Sequence, residues 1–174
     1  MTDNQRPDTT EYAPYYANYV RQVPEGDIQT LLGEQVAQVH DLLRGISEAQ
    51  AEARPAPGEW TLKEIIGHLS DVERVFAYRA HRFARQDATP LAGFEQDDYV
   101  QAAGYNRRTL ADLVEEWTLL RQASAHLFRS LLPGDWLRRG QAGTAEFSVR
   151  AIAYILVGHA NGHLTDIQTK YLGR

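Results

Sequence analysis

The residues whose types and spacing could do chemistry are His159 and His163, in the run Val157-Gly158-His159-Ala160-Asn161-Gly162-His163-Leu164. Side chains four residues apart share one face of a helix, about 6 Å apart along its axis. Ile152, Leu156 and Ile167 keep the same register, so both imidazoles fall on an otherwise apolar stripe. A polar group buried there without a partner is costly. A shared metal ion, bound through neutral imidazole nitrogens, removes that cost. His68 is the third candidate, three residues after Ile65 and four before Val72 in a second apolar stripe. Three histidines without cysteine suit a divalent ion such as zinc, nickel, cobalt or ferrous iron. Three protein ligands leave open positions for water or substrate, the pattern of a catalytic rather than a structural site. The competing reading is three core histidines, each satisfied by a hydrogen bond.

The other histidines read as surface or boundary residues. His81, thirteen positions after His68, is rotated about 220° from it around the same helix. His126 is off its helix's stripe, and His40 borders one without a histidine or carboxylate at i+4.

Four amphipathic helices position these residues. Residues 1–11 are polar and are expected to be a disordered lead-in. The remainder, 12–174, is expected to form a single domain. Tyr12 to Val20 is an aromatic segment expected as a short helix or an extended arm. After the turn at Val23-Pro24-Glu25-Gly26, Asp27 caps the first long helix, whose stripe runs from Ile28 to Ile46 and which ends near Gly45. Pro55 to Gly58 breaks the chain. Thr61 and Glu64 then form a capping box for the second helix, from Leu62 to about Arg85. Asp87 to Gly104 is a long connection with a short helix around Asp97–Ala103. The third helix opens at Thr109-Leu110 and is stopped by Pro133-Gly134. Asp135 to Glu146 reads as a loop, and no segment shows convincing strand alternation. Phe147 and Ser148 staple and cap the fourth helix, Val149 to about Leu172. The fold class is all-α, a four-helix bundle with a long connection between helices 2 and 3.

Composition narrows the function. The 174 residues carry a formal net charge of −5, against a nucleic-acid partner, which would call for a basic face. With no cysteine, a thiolate nucleophile or a Cys-based metal site is excluded, so any thiol must arrive with a substrate. The N-terminus lacks the apolar core of a signal peptide and no segment is long and apolar enough to span a bilayer, so a cytoplasmic protein with no membrane partner is expected.

Trp60-Thr61-x-x-Glu64-x-x-x-His68-Leu69-x-Asp71-x-Glu73, followed by Gly158-His159-x-x-x-His163-Leu164-x-x-Ile167, resembles the paired motifs of the DinB-like superfamily, most closely its YfiT-like branch. Upstream, Tyr19-Val20-x-x-Val23-Pro24-x-Gly26-Asp27-Ile28 is similar to that branch's N-terminal segment. The resemblance implies an up-down-down-up four-helix bundle, often a homodimer, with a divalent metal held at His68, His159 and His163. It also implies activities such as bacillithiol- or mycothiol-dependent transfer and isomerisation, or metal-dependent hydrolysis.

Two enzymatic readings follow. In the first, a low-molecular-weight thiol activated by the metal attacks an electrophile, giving S-transfer in stress or detoxification. In the second, metal-activated water attacks a carbonyl. Ala160 stands where a His-Glu-x-x-His protease would place its glutamate, so zincin-type proteolysis is unexpected. Asp71 and Asp166, three residues after His68 and His163, are weak candidates for orienting an imidazole or acting as a base. A third reading is a non-catalytic metal-binding stress protein. Arg107, Arg108, Arg138 and Arg139 are expected mainly as solvated residues, although in loops they could border the bundle mouth and attract an anionic substrate. Trp60 and Trp136 are expected to anchor loops.

Overall fold

Capping residues fix where the helices begin. In the computed structural model, which describes residues 4–173, each long helix starts where its cap predicts. Asp27 accepts the Thr30 N–H at the start of α2 (Ile28–Leu43), after a five-residue α1 (Ala17–Arg21). The short α3 is Glu48–Glu52. At α4 (Leu62–Ala84), Thr61 Oγ1 accepts the Glu64 N–H while Glu64 accepts the Thr61 N–H, so two otherwise orphaned donors are satisfied. The long connection holds α5 (Gln96–Ala103). Thr109 caps α6 (Leu110–Arg129), and Ser148 caps α7 (Val149–Asp166). The bundle is α2, α4, α6 and α7: α4 and α2 each pack against both α6 and α7, and α1 lies along α7.

Three expectations need correction or refinement. The predicted loop 135–146 contains a hairpin of β1 (Arg139–Ala142) and β2 (Ala145–Ser148), pairing Arg139 with Ser148 and Ala142 with Ala145. Each strand has four residues, too few to show a clear period of two. The turn depends on Gly143, at φ +59°, a conformation open to glycine at little cost. The fourth helix runs to its expected end but changes character on the way: α7 stops at Asp166 and continues as a π-helical turn over Ile167–Tyr171. Finally, the polar lead-in is anchored rather than loose from Arg6 onward. Arg6 donates to the Val20 and Val23 carbonyls at 2.6 and 2.8 Å. Glu11 is buried, accepting from Ser148 Oγ and Arg150 Nε, both at 2.7 Å. Met1 to Asp3 of that lead-in lie outside the described residues.

The core is two apolar clusters with a polar layer between them. On α2, Leu32 belongs to one cluster and Val39 to the other, with Gln35 between. On α6, Phe128 and Trp117 are divided by Arg121, and on α7, Val157 and Ala160 flank His159. Arg121 Nη2 lies 2.9 Å from Glu73 Oε2, an ion pair whose side chains are each 1% exposed, without in-line hydrogen-bond alignment. Arg121 Nη1 donates to Gln35 Oε1 at 2.8 Å. Gln35 Nε2 donates to the Val157 carbonyl at 2.8 Å and to Asn161 Oδ1 at 2.7 Å. All four long helices are thus tied together at the level of His159. Unsatisfied polar groups in a dry core are costly, so this layer specifies helix register as well as holding the helices together.

Candidate metal centre

α4 and α7 meet so that His68 faces His159 and His163. His68 Nε2 is 3.0 Å from His159 Nε2, and His163 Nε2 is 3.2 Å from the same atom. These three form the group of His, Asp and Glu side chains able to share a metal ion among the described residues. His68 is 1% and His159 5% exposed, and His163 is half-buried. Burial disfavours the imidazolium, pushing His68 down to about 3 and His163 to about 4, and His159 well below its usual value. Neighbouring rings add to the shift for His68 and His159, whereas Asp166 partly opposes it for His163. The rings are therefore neutral at pH 7, the form that donates to a metal.

The geometry fits an ion better than hydrogen bonds alone. A neutral imidazole nitrogen has one in-plane lone pair or one proton, and His159 Nε2 cannot serve two neighbours well with either. Ligand nitrogens at about 2.0–2.1 Å from a tetrahedral zinc lie about 3.3 Å from one another, close to the 3.0 and 3.2 Å that separate His159 from its two partners, and all three ligand atoms lie within 4.8 Å of one another. One feature departs from the usual pattern, in which a ligating histidine donates its second N–H to an acceptor: His68 Nδ1 is buried and has no hydrogen-bond partner among the described residues. Its ring is held by packing instead, with the Trp60 ring centroid 4.8 Å away. Tyr19 likewise packs edge-on against His159 at 5.2 Å. Gly158 permits this, since a Cβ there would lie 1.8 Å from the Tyr19 carbonyl oxygen.

The remaining candidates separate clearly. Asp71 accepts the Tyr105 hydroxyl and does not serve His68. Asp166 stands beside His163 in two surface clefts, one of 480 Å³ also lined by Gln22, Asn161 and Thr165, the other of 200 Å³ lined by Trp60 and Lys170. It also pairs with Lys170 at 3.2 Å. His40, His81 and His126 are exposed and away from the triad, as expected. Among the described residues, the three cavities that border the triad are lined without Arg107, Arg108, Arg138 or Arg139. Arg108 pairs with Asp112 and Glu116, Arg138 with Asp135, and Arg139 with Glu146. Trp136 stacks on Phe128 as a loop anchor, but Trp60 lines the site and corrects its expected role.

Sequence reasoning missed Tyr19, Gln35, Asn161 and Arg121. The signal was present for two of them. Gln35 stands three residues after Leu32 and four before Val39, and Arg121 four after Trp117; each is a polar residue on the core side of its helix.

Comparison with known proteins bears on the same architecture. No curated protein matches the chain. Among solved structures it is similar to YfiT from Bacillus subtilis, described as "a probable metal-dependent hydrolase with an unusual four-helix bundle topology". The TM-score is 0.77 at 13% identity, covering 87% of this chain and 90% of that one. That likeness establishes the fold. No helix among the described residues is long and apolar enough to cross a membrane. The DinB superfamily model matches residues 17–167, a span that holds all three histidines, and the chain belongs to the DinB superfamily.

Proposed function

We propose that this protein is a metal-dependent enzyme that transfers a group to or from the sulfur of a low-molecular-weight thiol, with His68, His159 and His163 holding the ion. The observation that carries this reading is the convergence of three neutral Nε2 atoms in a site that is closed on the core side and open at its edges. A divalent ion there supplies Lewis acidity, lowering the pKa of a thiol or water that reaches it. The protein's own part is to keep the imidazoles neutral by burial, to fix two rings with Trp60 and Tyr19, and to tether α7 through Gln35. The thiol gives its proton to solvent, its sulfur bonds an electrophilic carbon, and the leaving group departs with the electron pair of the bond that breaks. This needs no dedicated base, which suits a site where Asp71 is engaged with Tyr105. The description of YfiT as metal-dependent supports the metal part of the reading.

A hydrolytic reading is favoured by two features: the description of YfiT as a probable metal-dependent hydrolase, and the presence of Asp166 with His163 in the surface clefts, where it could accept a proton from attacking water. A screen of electrophiles with bacillithiol, mycothiol and glutathione decides between the two. Metal-dependent turnover that requires thiol is expected, and metal-dependent turnover without thiol would establish hydrolysis. Elemental analysis should give about one divalent ion per chain, lost on His68→Ala or His163→Ala; metal retained in both variants would remove the site assignment. Circular dichroism with and without EDTA separates a catalytic from a structural ion. The helical signal should persist under chelation, whereas collapse would point to a structural metal and a non-catalytic protein.

A further inference from the structure

His159 forms a wall of two differently built spaces. On the α7–π-turn side is the polar cleft shared with His163. On the other side a separate cavity of 340 Å³ is walled by Tyr16, Tyr19, Phe76 and Phe94, with Val72 and Ile155 behind them. Binding sites of this size are commonly apolar and concave, with few polar groups to orient a ligand. From these two spaces we infer that the aromatic cavity is the subsite for the electrophile, and that it takes a neutral aromatic or alkyl group attached next to the reacting carbon. The inference rests on the metal reading given above.

Charge around the cavity selects neutral occupants. Its mouth carries Glu95 and Asp97, both exposed, which disfavour an anionic tail. Behind its wall Arg79 lies 96% removed from solvent, its guanidinium 4.8 Å from the Phe76 ring centroid and 5.7 Å from that of Phe94. Arg79 donates to the Ala92 carbonyl at 3.1 Å, and no carboxylate pairs with it among the described residues. The faces of Phe76 and Phe94 are thus already engaged by a cation, and a second positive charge beside them is repelled in a poorly screened interior. The polar cleft leaves a hydrophilic thiol its own approach to the histidines.

Hydroxamates with graded tails test this on the zinc-loaded full-length protein, by isothermal titration calorimetry with zinc content measured on the same sample. A phenyl-bearing hydroxamate should bind at least about tenfold more tightly than acetohydroxamate, the scale expected for burying one small ring. Tails bearing a carboxylate or an ammonium group should forfeit most of that gain. Phe94→Ser, at a half-buried connecting residue, should reduce the phenyl-to-acetyl ratio towards one. With zinc retained, equal affinities across the series would overturn the cavity assignment. Charged tails matching the neutral one would overturn the ligand class. Zinc absent and every hydroxamate inert would overturn the metal reading, and this inference with it.

Discussion

Three clustered imidazoles, two buried and one half-buried, with His159 within 3.2 Å of both partners, make acid the natural enemy of this fold. An unfolded histidine titrates near 6.5, whereas burial holds His68 at about 3 and His163 at about 4 in the folded protein. Between those values the unfolded chain binds more protons, so stability rises with pH there. The metal-free protein should keep this contribution fully above about pH 6.5 and lose it progressively as pH falls towards 4. Urea midpoints of metal-stripped protein between pH 7.5 and 5 measure the effect, and a His163→Leu variant should flatten the slope. A midpoint that does not fall in acid would mean that the rings are not held neutral. Single residues also set the approach of the elements. Gly158→Ala places a methyl group against the Tyr19 backbone at 1.8 Å, which no rotamer can relieve. An overpacking cost on the order of 1–3 kcal/mol is expected, visible as a lowered melting temperature. An unchanged melting temperature would show that α1 does not sit where it is described.

At the scale of elements, the polar layer holds the four long helices at one level. Glu73 on α4 and Arg121 on α6 are each 1% exposed, so their pairing offsets a large desolvation cost. Arg121→Met alone leaves the Glu73 carboxylate buried without its cation and should cost about 3–5 kcal/mol. Combining it with Glu73→Leu should recover a substantial part, because the double change removes both charges. Denaturation of the two single variants and the double variant checks this, and simple additivity would mean that the pair is not coupled. The helices themselves were legible in the sequence because each start has a capping side chain, Asp27, Thr61, Thr109 or Ser148, and each body a period of 3.6 residues. The hairpin was not, because β1 and β2 draw their stability from packing against α4 and from Gly143 rather than from any alternation of their own. The anchoring of Arg6 and Glu11 was also hidden, since their partners lie far along the chain, Glu11 meeting Ser148 at a separation of 137 residues.

For the whole molecule, the triad was legible because a histidine on an apolar stripe stands out on a helix of known phase. His68 and His159 are 91 residues apart in sequence, yet phase alone placed both towards the core. The aromatic cavity beside them could not be read that way, because it arises where α1, α4, the 87–104 connection and α7 converge, and no local pattern encodes such a junction. The structure also implies that the bundle is not uniformly resistant to opening. The cavity wall nearest His159 comes from α1, five residues long, far below the length at which a helix sustains itself in water. It is held from outside, by the seat at Gly158, the Arg6 bonds to the Val20 and Val23 carbonyls, and the Asn161 bond to the Gln22 carbonyl at 3.2 Å. Such a segment is expected to open as a unit well below the free energy of global unfolding. Its amides should therefore exchange with deuterium markedly earlier than those of mid-α4 and mid-α7, and a ligand filling the aromatic cavity should slow that exchange selectively. Equal protection of α1 and α7 would contradict this picture. The segment that packs over His159 is thus the least self-sustaining part of the site's wall, and its exchange rate reads out directly how firmly that wall is held.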